Sequence, residues 1–284
     1  MSRLYVVGTP IGNLGDLSPR AVRTLETCDF IAAEDTRVTL KLLNHFGIKK
    51  PMVSYYEHNL RERGQQIINR ILAGESCAVV TDAGMPCISD PGEDLVRLCA
   101  QAGILTEVVP GPSAVISALA VSGLATARFA FEGFLSVKRN SRMAHLELIK
   151  EDPRTLIFYE APHKLLHTLQ DMLEMLGDRK ITLARELTKL HEEINRTTLA
   201  QAVQHYRETP PKGEFVLVLE GAPQKTAERP TLQEAVALVQ QLAGEGLSLS
   251  EAAKQAAKQT GYQKGELYRL AAAQNMESAG STGG

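Results

Sequence analysis

The chain has 284 residues, of which 44% are hydrophobic and 23% charged, and its formal net charge is −2. This composition is ordinary for a globular protein, and the length exceeds that of one typical domain, which predicts two. The near-neutral charge argues against a protein that coats naked nucleic acid, and no apolar run approaches the roughly 18 residues of a membrane span.

The N-terminus and the cysteines both indicate a cytoplasmic protein. The opening stretch, MSRLYVVGTPIGN, turns polar and glycine-rich too early for the apolar region of a signal peptide. The cysteines show no C-x-x-C pairing, which predicts reduced, mostly buried thiols: Cys28, Cys77, Cys87 and Cys99. Their spacing also argues against a zinc site, so we predict no metal.

Strand and helix patterns alternate through roughly the first 120 residues. The predicted strands are the short apolar runs RLYVV, DFIAAE, PMVSYYEHN, CAVVT and ILTEVV. The segments between them have helical patterns, one beginning at Ser18–Pro19 and another ending at Gly47. Strands buried on both faces give continuous apolar runs, as CAVV does here. The pattern predicts an α/β domain with a largely parallel sheet.

A second alternating series begins near Phe129, with predicted strands FAFEGFL, RTLIFYE, KITLARE and EFVLVLEG. After Gly221 the composition changes to a polar linker, and three helix-sized pieces separated by glycine-bearing turns follow. Their arrangement resembles a helix-turn-helix. We predict two α/β domains, 1–118 and 119–224, a helical extension at 225–276 and a disordered tail at 277–284.

Glycine-rich loops at strand ends are the candidate binding elements, because parallel α/β sheets bind ligands beyond the carboxyl ends of their strands. The loop GTPIGNLGD has neither the G-x-G-x-x-G nor the P-loop spacing. The loop TDAGMPCISDPG places Asp82 just past a buried strand, on a backbone that two glycines and two prolines hold in one shape. Asp90 is interpreted as a cap of the helix that begins near Gly92.

Two further groups of loops complete this set. PGPSAV ends a strand and opens a helix at Ser113, whose hydroxyl suits either a ligand or a simple N-cap. FYEAP, ARELTK and KGEFV mark strand edges or ends in the second half. A ligand held between the two halves would contact loops from both.

These motifs together resemble a bacterial family of ribosomal small-subunit RNA ribose 2′-O-methyltransferases within the tetrapyrrole-methylase superfamily. The resemblance rests on VGTPIGNLGDLSPRA, AAEDTRVTLKLLNHFGI, YYEHN, TDAGMPCISDPG, VPGPSA, YEAPHK, ARELTKLHEE and GEFVLVLEG, which occur in the expected order over roughly residues 3–221. It implies two α/β domains of the tetrapyrrole-methylase type with S-adenosylmethionine in the cleft between them. It also implies a cytidine ribose of small-subunit RNA as the substrate, methylated on the assembled particle, and a homodimer.

The resemblance also implies which residues hold the cofactor. Carried over motif by motif, they are Pro10, Asp82, Ala83, Gly84, Met85, Ser113, Ala114, Tyr159, Glu186, Leu187, Gly213, Glu214 and Phe215.

The candidate catalytic residues lie in EDTR and YEHN, each of which follows a predicted strand. A ribose hydroxyl is a poor nucleophile until its proton leaves, so a base is expected. Asp35, Glu57 or neutral His58 could accept that proton, and Arg37 could hold an RNA phosphate. Helix capping with a surface ion pair is the alternative interpretation of EDTR.

Two other functions stay open at this point. A methylase of a tetrapyrrole precursor shares the implied fold, although EDTR, YEHN and the C-terminal helices argue against it. The second alternative is a non-catalytic protein that binds RNA or assists ribosome assembly. Such a protein does not need the stiff cofactor cleft that the four loops indicate. The helical extension carries equal numbers of acidic and basic residues, which favours an accessory docking module over a DNA-reading one.

Overall fold

The computed structural model describes residues 2–56, 60–223 and 230–280. It divides into two compact units, Met1–Ala222 and Pro223–Gly284. The first unit contains two five-stranded sheets. In the described part of the chain, no helix has the length and apolar character needed to cross a membrane.

The first sheet is entirely parallel, as predicted. Its strands, in the order β3-β2-β4-β1-β5, are β1 (Leu4–Val7), β2 (Phe30–Ala33), β3 (Met52–Ser54), β4 (Cys77–Val80) and β5 (Thr106–Val109). The helices of this half are α1 (Pro19–Thr27), α2 (Thr36–His45), α3 (Leu60–Leu72), α4 (Glu93–Gln101) and α5 (Ala114–Ser122). β2 and β4 are buried along their whole length, which explains their continuous apolar sequence. The parallel arrangement brings the loops after β1, β4 and β5 to one edge.

The second sheet is mixed. Its strands, in the order β6-β7-β10-β8-β9, are β6 (Phe129–Phe134), β7 (Thr155–Glu160), β8 (Lys180–Arg185), β9 (Glu193–Thr198) and β10 (Phe215–Leu219). β6 and β7 are parallel and the other pairs antiparallel. Three helices accompany them, α6 (Arg139–Leu148), α7 (Pro162–Leu176) and α8 (Leu199–Glu208). β9 was not predicted, because this edge strand, EINRTT, is only half buried and has one apolar residue.

The second unit is a bundle of α9 (Leu232–Gly244), α10 (Leu249–Thr260) and α11 (Lys264–Gly280), which confirms the predicted helical extension. Capping boxes start α9 at Thr231 and α10 at Ser248, and Gly261 ends α10 in the left-handed conformation. Small alanines and a few larger apolar side chains form the core of the bundle. The described part of α11 continues past residue 277, where the sequence predicted a disordered tail.

A buried ion pair fastens α6 to α7. The Arg142 and Asp171 side chains are only 8% and 7% exposed, and their closest nitrogen and oxygen lie 2.6 Å apart. The Arg142 Nη1 also donates to the carbonyl oxygens of Ser136 and Val137. Each nitrogen of this guanidinium therefore has a protein acceptor in place of water.

We expect Asp171→Ala to lower the free energy of unfolding by about 3 to 5 kcal/mol, because the Arg142 charge stays buried without its carboxylate. Urea unfolding monitored by circular dichroism measures this loss. Glu174→Ala is the control, since Glu174 pairs with Arg139 on the surface and such pairs contribute about 1 kcal/mol or less. Equal losses for the two variants would contradict the prediction.

Candidate active site

A cavity of about 430 Å³ lies between loops of the two sheets of the first unit. That volume suits a small organic ligand, for which sites of about 300 to 1,000 Å³ are usual. The first half contributes residues after β1, after β4 and at the start of α5, and the second half contributes the ends of β6, β7, β8 and β10. The walls are largely apolar, with Ile11, Met85, Ile88 and Phe215 among them.

Backbone contacts hold the loops of the first half together. Gly8 and Gly111 cross so closely that a Cβ on Gly8 would lie 2.7 Å from the Gly111 Cα. The N–H of Thr9 donates to the Gly84 carbonyl at 2.9 Å, and the N–H of Gly84 donates back to Thr9 at 3.2 Å. The Thr9 hydroxyl is buried and donates to the Thr81 carbonyl at 3.1 Å. These contacts join all three first-half loops into one rigid wall.

A second network fixes the opposite wall. The Glu186 carboxylate accepts hydrogen bonds from the N–H of Glu214 and from the Lys189 ammonium, both at 2.9 Å. Lys189 also donates to the Glu214 carboxylate at 2.9 Å. The Glu214 N–H and then Lys189 lower the pKa of Glu186, so this carboxylate is ionised. Gly213 is required beside it, because a Cβ there would lie 2.6 Å from the Glu186 Cγ.

The two walls meet at Gly12. A Cβ on this residue would lie 2.4 Å from the Lys189 Cγ and 2.8 Å from the Thr188 Oγ1. The glycine therefore lets the loop after β1 approach the loop after β8 closely enough to close one end of the cavity.

Backbone strain concentrates in the same place. Within the described residues, the four non-glycine residues with positive φ are Cys87, Ser89, Glu186 and Thr188. The first two lie in the loop after β4 and the others in the loop after β8, so both pairs border the cavity. Such conformations are costly and recur at functional sites, because the surrounding structure must hold them.

Ten of the thirteen predicted cofactor residues line this cavity: Ala83, Gly84, Met85, Ser113, Ala114, Tyr159, Glu186, Leu187, Glu214 and Phe215. Pro10, Asp82 and Gly213 are not among the lining residues. Asp82 instead ties its loop to β2, since its carboxylate accepts the N–H of Asp35 at 3.2 Å and its own N–H donates to Glu34.

The start of α5 presents polar groups to the cavity. Ser113 occupies the N-cap position of α5, but its side chain makes no capping hydrogen bond. Its hydroxyl is therefore not used to cap the helix and stays available to a ligand. A helix N-terminus favours negative charge, which suits a carboxylate. Burial and then the charge of Asp90 raise the pKa of the nearby Tyr159 phenol to about 12.

The sequence did not identify several lining residues. Most are strand residues or neighbours of predicted positions: Ile11, Ile88, Phe134, Glu160, Ala161, Pro162, Ala184 and Val216. Lys189 also lines the cavity, and its place in ARELTK makes it a sequence candidate for contact with cofactor or RNA. Glu160 is buried and holds the start of α7 by accepting the N–H of Ala161 at 2.8 Å and the Lys164 ammonium at 3.0 Å. Its position after the strand run in YEAP is the signal that could have identified it.

Asp90 is the most informative of the missed residues. It lines the cavity and does not cap α4, whose N-cap is Gly92 with no side-chain hydrogen bond, so the capping interpretation is wrong. Within the described residues its carboxylate accepts no hydrogen bond and forms no ion pair. Burial, followed by the charges of Glu34 and Asp82, raises its pKa to about 6. A carboxylate with this pKa in a cavity is suited to accept a proton near neutral pH.

The predicted catalytic residues lie elsewhere. Asp35 caps α2 through the N–H of Arg37, and its carboxylate pairs with the Arg37 guanidinium at 2.6 Å. The hydrogen bonds from Arg37 lower the pKa of Asp35 to about 2, which makes it a poor proton acceptor. The Arg37 side chain is 87% exposed, so it is open to a large substrate. His58, and Glu57 beside it, lie outside the described residues.

Two protein families match this chain, one in the first unit and one in the helical unit. Residues 3–203 match the family described as Tetrapyrrole (Corrin/Porphyrin) Methylases, and residues 230–275 match the RsmI C-terminal HTH domain. A Synechocystis protein named Ribosomal RNA small subunit methyltransferase I is 49% identical over 95% of this chain and 97% of its own length. A Thermotoga maritima protein of the same name is 48% identical over 78% of this chain and 99% of its own length.

A solved structure supports the fold. It is the uroporphyrin-III C-methyltransferase of Thermus thermophilus in complex with S-adenyl homocysteine. The two chains share 19% identity and a TM-score of 0.55 over 76% of this chain and 96% of the other. The chain therefore belongs to the tetrapyrrole (corrin/porphyrin) methylase family, among the proteins named ribosomal RNA small subunit methyltransferase I.

Proposed function

We propose that this protein transfers a methyl group from S-adenosylmethionine to the ribose 2′-hydroxyl of a cytidine in small-subunit ribosomal RNA. One observation carries the proposal. Over nearly its full length, this chain is 43 to 49% identical to proteins that are named for methylation of that RNA. The cavity between the two sheets, with its strained loops, supports an enzyme over a non-catalytic assembly protein. A cytoplasmic location and a homodimer stay predictions from the family resemblance.

The cavity fits the cofactor of this family, S-adenosylmethionine. The cofactor carries a carboxylate, and the cavity offers the open N-terminus of α5 at Ser113 to receive it. Apolar surfaces of Ile11, Leu187 and Phe215 suit a flat purine ring. When bound, S-adenosylmethionine supplies an electrophilic methyl group, so alignment and removal of one proton are the protein's main tasks.

We assign the removal of that proton to Asp90. The carboxylate faces the cavity, and with a pKa of about 6 it is ionised at pH 7 yet basic enough to take a proton as the hydroxyl reacts. The proton passes from the 2′-hydroxyl to Asp90 and then to solvent. Arg37, exposed at the start of α2, binds an RNA phosphate and positions the ribose, a role consistent with its orientation by Asp35.

Radiolabelled methyl transfer to purified, unmethylated small ribosomal subunits tests this function. Nuclease digestion should release the label as 2′-O-methylcytidine, and heat-inactivated protein is the control. Label on a base would retain the cofactor site and overturn the ribose assignment. No label on subunits, together with label on a free tetrapyrrole precursor, would replace the proposal with the tetrapyrrole alternative.

A further inference from the structure

The helical unit is electrically neutral as a whole, but its three helices do not share the positive charge equally. Between residues 230 and 251, which hold α9 and the start of α10, the charged residues are Glu234, Glu245 and Glu251. Between 252 and 280, the acidic residues are Glu266 and Glu277, and there are four cations: Lys254, Lys258, Lys264 and Arg269. All the cations of the three helices therefore belong to α10 and α11.

The four cations project into solvent and are available to a partner. All are exposed, and none forms an ion pair with another described residue. Lys254 and Lys258 are one helical turn apart on α10, opposite the buried face formed by Ala252, Ala253 and Ala256. These two lysines therefore contribute nothing to the core of the bundle.

The position of Lys264 does not stabilise the helix in which it lies. It is the first residue of α11, where the helix dipole is positive and a lysine is unfavourable. Tyr268 follows one turn later and is 43% exposed, and Arg269 is beside it. Cations and an exposed aromatic side chain around a helix N-terminus favour a ligand that carries phosphates and unstacked bases.

One relative has about the length of the first unit alone. The Thermotoga maritima relative aligns over 99% of its length with 221 residues of this chain, a length that accommodates the first unit alone. A role in recruiting the substrate fits a unit for which a relative of that length has no room.

We propose that the exposed side chains of Lys254, Lys258, Lys264, Tyr268 and Arg269 bind the phosphate backbone of small-subunit ribosomal RNA. The proposal rests on the proposed function, because it takes the same RNA as the partner. It makes the helical unit a tether that raises the affinity for the ribosomal particle and leaves the methyl-transfer step unchanged.

The test compares two double variants, Lys254→Gln with Lys258→Gln and Lys264→Gln with Arg269→Gln. The control is Gln233→Glu with Ala237→Glu, which changes the charge by the same amount on exposed positions of α9. Dissociation constants for purified small subunits and for their deproteinised RNA are measured at several salt concentrations. Each cationic pair should weaken binding roughly tenfold and lower the salt slope by about 1.4 to 1.8, because each phosphate contact contributes about 0.7 to 0.9.

The kinetics of methyl transfer provide an independent readout. The double variants should raise the KM for subunits and leave kcat and the affinity for S-adenosylmethionine unchanged. Tyr268→Ala should weaken RNA binding and Tyr268→Phe should not, because stacking needs the ring alone.

The experiment distinguishes a failure of this inference from a failure of the proposed function. If the wild-type protein binds subunits and both double variants bind like the α9 control, the inference is wrong and the proposed function stands. If affinity falls for whole subunits but not for their RNA, the partner is a ribosomal protein and the inference is also wrong. If the wild-type protein binds neither, the proposed function fails and the inference fails with it.

Discussion

Replacing Asp90 with asparagine should reduce kcat by about 10² to 10⁴, the usual contribution of a general base. The substitution keeps the shape of the side chain and removes its ability to accept a proton. The affinity for S-adenosylmethionine should change by no more than a few fold, as measured by titration calorimetry. Glu93→Gln is the matched control, because Glu93 is an exposed carboxylate at the start of α4, outside the cavity, and its loss should leave kcat unchanged.

The pH dependence separates a base from a structural carboxylate. Burial raises the pKa of Asp90 to about 6 in the folded protein, so kcat of the wild type should rise tenfold per unit below pH 6 and level off above it. The asparagine variant should lose this inflection.

As pH rises, the contribution of Asp90 to the stability of the folded protein should fall, whereas kcat should rise. Because the folded pKa of Asp90 is raised, its contribution to stability is complete below the pKa of the unfolded chain and is lost as pH rises through about 6. At pH 8 the wild type therefore carries a partly buried, unpaired charge that asparagine removes, and Asp90→Asn should have an equal or higher Tm. A lower Tm with an unchanged pH profile would mean that Asp90 is structural.

The sequence identified the half of the site that depends on parallel strands. Loops after β1, β4 and β5 meet because parallel strands end at one edge, and the apolar runs and glycines that define them are local signals. The lining positions Ala83, Gly84 and Met85 follow from that arrangement.

The second half of the site was less predictable. Its sheet is mostly antiparallel, so the alternation of strands and helices does not reveal which strand ends converge. Ala184 and Val216 are ordinary strand residues in the sequence, and only the pairing of β8 with β10 brings them to the cavity. Residue patterns carry no information on such long-range pairing.

Asp90 was misinterpreted for a different reason. An aspartate two residues before a helix is typical of a cap, and the sequence favours that interpretation. The positive φ angles of Cys87 (71°) and Ser89 (66°) instead turn the loop, and Asp90 lies at the cavity. Such angles are rare outside glycine, so no propensity could have predicted them.

The crossing of Gly8 and Gly111 should be the most sensitive backbone contact of the first half. A Cβ at Gly111 would lie 2.9 Å from the Gly8 C, Cα and O atoms, and backbone atoms cannot move aside as the end of a side chain can. Gly111→Ala must therefore separate the loops after β1 and β5. We expect a loss of about 1 to 3 kcal/mol in the free energy of unfolding, as for other overpacked sites.

The same displacement of the two loops should also reduce the ability of the cavity to bind the cofactor. Gly111 directly precedes the Pro112–Ser113 entry to α5, and Gly8 precedes the Thr9 backbone pair with Gly84, so the loops on both sides of the crossing would shift. S-adenosylmethionine binding should weaken at least tenfold, as measured by titration calorimetry on protein that circular dichroism shows to be folded. Gly64→Ala is the matched control, because the nearest atom to its added Cβ is the flexible Leu98 Cδ1 at 3.1 Å and alanine favours the α3 helix. If both variants bind the cofactor with wild-type affinity, close approach of the two backbones is not what shapes the site.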